Sequence, residues 1–166
     1  MTLPELLTAK IPNAHITILA RIFYNMPNLT RQESRKRTRF VKWLNKQQEA
    51  YAEEQMELIE EFGERDDEGN LIKNVNESGG TSWNIPKAVQ DEYTEALKEL
   101  QKEEITFGEL STQDLVNAIA NISYNYQEPL AGAEAEVFDT FLENFDELFD
   151  SFDEAFEKMN TAASEE

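Results

Sequence analysis

TRQESRKRTRFVKWLNKQQEAYAEEQMELIEEFG, residues 30–63, is the stretch that decides the fold. Thr30 followed by Glu33 has the form of a capping box, in which the hydroxyl accepts from the Glu33 amide and the carboxylate reaches back to the Thr30 amide. Gly63, next to Phe62, stands where helices often stop on a glycine at the C′ position. Between these signals the chain runs unbroken for about 32 residues, about 48 Å at 1.5 Å per residue. At about 100° per residue, Phe40, Leu44, Ala50, Tyr51, Leu58 and Phe62 fall on one side. Arg31, Arg35, Arg39, Lys42 and Lys46 fall within a stripe about 80° wide on the other. The spacing predicts one long helix with an apolar face and an opposed basic face.

Working outward, six glycines and five prolines cluster at a few joints, which predicts long helices with short breaks. Upstream, residues 13–26 carry Ile16, Leu19, Ile22, Phe23 and Met26 at helical spacing, closed by Pro27. Downstream, helical periodicity stops at residues 64–85. There residues 71–75 and 81–85 flank Asn76-Glu77-Ser78-Gly79-Gly80, the pattern of a small β-hairpin. Pro86 suits the first position of a third helix running to about Glu104, with Val89, Tyr93, Ala96, Leu97 and Leu100 on its apolar stripe. Ser111 and Asp114 open a fourth helix carrying Leu115, Ile119 and Ile122, and residues 125–132 form a joint. A fifth helix, about residues 133–159, spaces Phe138, Leu142, Phe145, Phe149, Phe152, Phe156 and Met159 by 4, 3, 4, 3, 4 and 3, a heptad seam. The expected architecture is mainly α, with about five helices including the long one and an acidic, Phe-rich C-terminal one, plus a small β-hairpin insertion. Residues 1–160 are expected to form one mostly helical domain, with residues 161–166 a frayed tail.

Composition narrows the function. The 166 residues hold 34 acids against 15 Lys and Arg, a net charge of -19, yet 40% are apolar and 10% aromatic, enough to bury a core. With no cysteine, disulfides, iron–sulfur clusters, Cys-containing zinc sites and thiol nucleophiles are excluded. The single histidine, His15, has no second His to work with, and its place near the start of a helix fits a capping or partly exposed role. Glu64-Arg-Asp66-Asp-Glu68-Gly69 opens like a calcium loop, but Val75 stands where the bidentate Glu at position 12 is required. Gly79-Gly80 precedes a strand, so no phosphate-cradling loop exists, and no pair of carboxylates is singled out as a general acid and base. A non-enzyme without cofactor or metal is expected. No apolar run approaches the roughly 20 residues of a membrane span, and residues 1–10 do not read as a secretory leader. A soluble protein that stays inside the cell that makes it, without membrane contact, is expected.

Two charged features remain. Seven of the 15 cations lie between Arg31 and Lys46, with Glu33 the one acid among them. A stripe of this kind can follow a phosphate backbone, but the rest of the chain repels DNA and no aromatic residue interleaves the stripe, which argues against direct nucleic-acid binding. The alternatives are a docking face for an acidic partner or for another copy of the chain, and neutralisation inside the fold by the chain's own acidic C-terminal helix. From Glu128 onward there are 13 acids and one lysine. Asp139, Glu143, Asp146, Asp150, Asp153 and Glu157 line the face next to the Phe seam. If the seam packs throughout, it is core. If its distal half from Phe149 to Met159 leaves the body, it becomes a partner or oligomer contact, with Asp146, Phe149, Asp150, Phe152, Asp153 and Phe156 its contact residues.

At Asn13-Ala14, Ser34-Arg35-Lys36-Arg37-Thr38-Arg39-Phe40, Asp67-Glu68-Gly69-Asn70 and Gly132-Ala133-Glu134-Ala135 the chain resembles a family of small uncharacterised proteins of tailed bacteriophages and prophages of Gram-positive bacteria. The resemblance reaches to about Leu148, and the Phe-rich extension elaborates on it. It implies a phage origin and carries no catalytic residue. The function expected is protein–protein binding, as a virion-associated or assembly adaptor, with a phage structural protein, a host enzyme or a second copy as partner. The alternative is an acidic inhibitor of a host defence or nucleic-acid enzyme that mimics DNA.

Overall fold

The structure, a computed structural model, describes residues 6–165. The first half of the leader sequence and the last residue of the tail lie outside the described residues. The elements are β1 (Ala9–Pro12), α1 (Ile16–Tyr24), α2 (Arg31–Phe62), β2 (Lys73–Val75), β3 (Thr81–Trp83), α3 (Gln90–Lys102), β4 (Glu104–Phe107), α4 (Gln113–Asn125), α5 (Gly132–Leu142) and α6 (Asp146–Ser164). The chain is mainly helical, as the spacing predicts. Four 3-10 turns lead into α1, α3, α4 and α6.

α2 has the predicted bounds, and both arms of its capping box form: Glu33 N donates to Thr30 Oγ1 at 3.2 Å and Thr30 N to Glu33 Oε1 at 3.0 Å. Gly63 ends it differently from the left-handed cap expected of a C′ glycine, with φ -66° and ψ 145°. Glycine is needed there for room, because a Cβ would lie 2.4 Å from the Ile59 carbonyl oxygen and 2.8 Å from Leu71 Cδ2. The buried side of α2 is Phe40, Val41, Leu44 and Tyr51, with Leu58 and Phe62 half-buried, while Ala50 is exposed. Ala50 is rotated by about 100° from its neighbour Tyr51, which puts it beyond the apolar face.

Those side chains meet α1, α4 and α5 in one hydrophobic cluster. Phe40 is its hub, with ring centroids 4.9 Å from Phe23, 4.7 Å from Phe107, 5.8 Å from Phe141 and 6.1 Å from Trp43. Such edge and tilted contacts are worth about 0.5–1.5 kcal/mol beyond area burial.

A second two-stranded sheet, absent from the sequence-based expectation, joins the ends of the core. β1 pairs antiparallel with β4 from Ala9↔Phe107 to Pro12↔Glu104. The third helix therefore ends at Lys102, short of the predicted Glu104, and Pro86 precedes its 3-10 lead-in as the cap residue. Amides fasten the N-terminal segment to the helices. Gln113 both accepts from Leu7 N at 3.0 Å and donates to Leu7 O at 2.9 Å, and Asn144 does the same to Lys10 at 2.9 and 3.2 Å. The buried Asn13 donates to the Leu100 carbonyl at 2.9 Å. Gly108, at φ 127°, passes so close to Leu7 that a Cβ would lie 2.5 Å from its carbonyl oxygen.

Asn144 also explains a break. The predicted fifth helix is interrupted by the 3-10 turn Glu143–Phe145, which carries the amide that grips β1. Past the break, helix persists through Ser164, so Thr161 to Ser164 are helical and not the frayed tail expected. The hairpin β2–β3 forms as predicted, with Asn76 Oδ1 accepting from Gly80 N at 2.7 Å, and it stands exposed. Neither Ser111 nor His15 acts as a side-chain cap: Ser111 lies within a 3-10 turn and His15 is a half-buried cap residue without a capping bond.

Phe40→Ala should lower stability by about 3–5 kcal/mol, the usual range for emptying a large aromatic site, read as a fall in thermal midpoint by circular dichroism. Phe156→Ala, at a side chain 63% exposed, should change it by less than about 0.5 kcal/mol. Equal losses would mean that α6 is packed along its whole length.

Candidate protein-binding surfaces

Fixing Phe40, Leu44 and Tyr51 inward fixes what α2 shows to solvent. Arg31, Arg35, Arg39, Lys42 and Lys46 are all exposed. The two other cations of the stretch are placed differently. Arg37 donates from Nη1 to the Phe23 and Tyr24 carbonyls at 3.1 and 3.0 Å, closing the end of α1, and Lys36 is half-buried. Among the described residues the one ion pair is Arg21 Nε to Glu134 Oε1 at 3.0 Å, remote from the stripe. Among the described residues no ion pair joins the stripe to the C-terminal helix, the contact that neutralisation within the fold calls for. α6 packs on Tyr124 of α4 through Phe149 and Phe152.

The structure adds a set of residues that the sequence reading missed. Glu49, Glu53, Glu57 and Glu60 continue the stripe after Lys46 by steps of 3, 4, 4 and 3, stay within the same arc of about 80°, and are all exposed. The solvent face of α2 is thus cationic over its first half and anionic over its second. The signal was present in the 4-and-3 spacing, but the second half reads as ordinary acidic solvent-facing helix until the exposed face is known. Next to it, Glu54, Glu57 and Glu61 of α2 and Glu99 and Glu103 at the end of α3 line one shallow groove floored by Leu58 and Leu100.

This order of charge works against the isolated helix. Arg31 lies in the first turn and Glu60 and Glu61 in the last, each at the end of the macrodipole that disfavours its sign, by about 0.3–1 kcal/mol per charge at low salt. Like charges also recur at i, i+4 along both halves, which costs a few tenths of a kcal/mol per pair. Lys46 and Glu49, opposite in sign and three apart, are the exception.

The second surface is α6. Burial falls along the seam past Phe145. Phe138 and Phe145 are buried, Phe149 and Phe152 are half-buried against Tyr124 at 5.2 and 5.1 Å, and Phe156 and Met159 are 63% and 71% exposed. Beyond Phe152 every described side chain of the helix is exposed, about 18 Å of helix at 1.5 Å per residue. Phe141, outside the predicted seam, is buried against Phe23 and Phe145. Asp146, Asp150 and Asp153 are exposed. Asp153 differs from the others in accepting a hydrogen bond from the Tyr124 hydroxyl.

The calcium-like segment is a turn: the Asp66 carboxylate accepts from the amides of Glu68 and Asn70, both at 2.9 Å, and leads into β2. Among the described residues no three His, Asp or Glu groups converge as a metal site, and no helix is long and apolar enough to cross a membrane.

The hydrogen bond to Asp153, followed by partial desolvation and the nearby carboxylate charge, raises the Tyr124 phenol above its ordinary value of 10.0. A folded-state pKa above the unfolded one means that this tie holds fully below about pH 10 and is lost as pH rises through the folded value. Asp153→Asn should therefore move one tyrosine step of the ultraviolet phenolate titration to lower pH, and an unmoved curve would show that Asp153 does not hold the hydroxyl. Comparison of the chain with protein families, curated proteins and solved structures gives no match.

Proposed function

We propose that this chain is a non-enzymatic phage protein that acts by protein–protein binding, as a virion-associated or assembly adaptor, and that the cationic half of α2 is its docking face. The observation that carries this reading is the exposed row Arg31, Arg35, Arg39, Lys42 and Lys46, which has no ion-pair partner among the described residues. Complementary potentials steer encounter and fix register, so the row fits an anionic protein surface. The apolar end of α6, Phe156 and Met159, adds a second contact of a different kind. The resemblance to proteins of tailed phages supports placing the chain in the host cytoplasm, and in the particle when it is a virion component.

The alternative is an acidic inhibitor of a host defence or nucleic-acid enzyme. It is favoured by Asp146, Asp150, Asp153 and Glu157, which share one exposed side of α6 and repeat about once per turn, 5.4 Å. A basic nucleic-acid channel would attract such a row.

Quantitative mass spectrometry of purified virions separates the two: a fixed copy number per particle is expected of an adaptor built into the virion. Absence from the particle, together with capture of a host enzyme that is lost on charge reversal at Asp146, Asp150 and Asp153, would replace the adaptor by the inhibitor. For the adaptor, Arg35→Ala with Arg39→Ala should weaken partner binding at least tenfold, about 1.4 kcal/mol, while the α6 reversal leaves it near unchanged.

A further inference from the structure

We infer that the charged face of α2 is a self-recognition surface, on which two copies of this chain pair with their α2 helices antiparallel. The inference rests on the reading of the stripe as a protein-docking face and names a second copy as the partner that covers it.

The face is self-complementary. Its sign changes between Lys46 and Glu49, at the middle of a helix that runs from Arg31 to Phe62. A two-fold axis crossing the helix beside residues 47 and 48 sets Lys46 opposite Glu49 of the second copy, Lys42 opposite Glu53, Arg39 opposite Glu57 and Arg35 opposite Glu60. Each pair then recurs on the other side of the axis, as an isologous interface requires. All eight side chains are exposed and share one arc of the helix. The groove lined by Glu54, Glu61, Glu99 and Glu103 adds carboxylates where the partner's Arg31 and Arg35 arrive.

Three further facts favour this occupant. Among the described residues of one chain, neither the cations of the row nor the acids of the second half have an ion pair. The charge order opposes the helix dipole and sets like charges one turn apart, strain that an antiparallel copy relieves at both ends together. Parallel pairing, by contrast, would place like on like along the whole helix. The net charge of -19 repels two copies at long range. At physiological ionic strength that repulsion is screened beyond about 8 Å, and the abutting rows lie inside that distance.

Because the contact is charged and exposed, its pairs are individually weak, and the expected dimer is salt-sensitive. Light scattering across a dilution series should give twice the 19.2 kDa chain mass at about 0.15 M salt and the single mass at about 1 M. Two variants test the register, one with Arg39→Glu, Lys42→Glu and Lys46→Glu, the other with Glu49→Lys, Glu53→Lys and Glu57→Lys. Each alone should be monomeric with native helix content by circular dichroism. An equimolar mixture of the two should regain the doubled mass, and so should a chain carrying all six changes, in which the three central pairs are inverted and Arg35 still faces Glu60. A wild-type chain that is monomeric at every concentration overturns the inference, as does a dimer that survives either set of reversals. Truncation after Leu148 should leave the dimer intact, and a monomer there would instead assign pairing to α6. The two proposals fail separately: a charge-dependent dimer absent from virions removes the structural adaptor and keeps the pairing, while a fixed copy number in virions from a chain that never dimerises does the reverse.

Discussion

The packing of Phe40 against Phe23, Phe107 and Phe141 is the contact on which the rest of the molecule depends. It gathers one residue each from α2, α1, β4 and α5 at a single point, so it fixes the rotation of the long helix about its own axis. Were α2 turned by one residue, about 100°, the cationic row would swing toward α1 and the core. Beyond Tyr51 no side chain of the helix is fully buried, and its second half, with Leu58, Ile59 and Phe62 half-buried, meets α3 where Phe62 packs on Tyr93. Orientation set at one end is therefore transmitted rigidly along about 48 Å of helix.

That rigidity gives the charge pattern its meaning. Charges scattered on loops can rearrange toward whatever ions are near, whereas charges on one face of a packed helix keep their spacing. The nine alternating positions from Arg31 to Glu60 form a fixed ruler with one sign change. Apart from Lys46 and Glu49, opposite in sign and three apart, these residues contribute nothing favourable to the helix that carries them, since both dipole and i, i+4 effects oppose them. Local rules are commonly broken at sites that serve something other than folding, and here the break extends over the whole exposed face.

What could be read from the sequence follows the range of the interactions involved. The bounds of α2 rest on Thr30, Glu33 and Phe62, all local, and both arms of the capping box formed as expected. The joints at Pro27 and at residues 125–132 and the hairpin around Gly79 are local too. β1 and β4 were not legible, because each is four residues long and acquires its strand character from the other, nearly a hundred residues away. The break at Asn144 escaped for the same reason: its side-chain amide is committed to the backbone of Lys10, which no periodicity within the fifth helix reveals. For the surfaces, the cationic row was visible as a cluster of like charge. The anionic continuation was hidden in plain acidic composition and became distinct only once Phe40 and Tyr51 showed which side faces water.

α6 obeys a different constraint. Its seam keeps the 4-and-3 spacing past the last surface that can cover it, so Phe156 and Met159 stay in water although the helix continues. Acids fill the adjoining face, and Lys158 is the one cation between Glu128 and the end of the chain. The helix tip therefore repels the acidic groove between α2 and α3 and the anionic half of α2, on its own chain or on another. What remains compatible with it is a surface both apolar and cationic. Charge thus distinguishes the two exposed surfaces: the face of α2 carries both signs in an order complementary to itself, while α6, with six acids and Lys158 alone among cations, is not self-complementary.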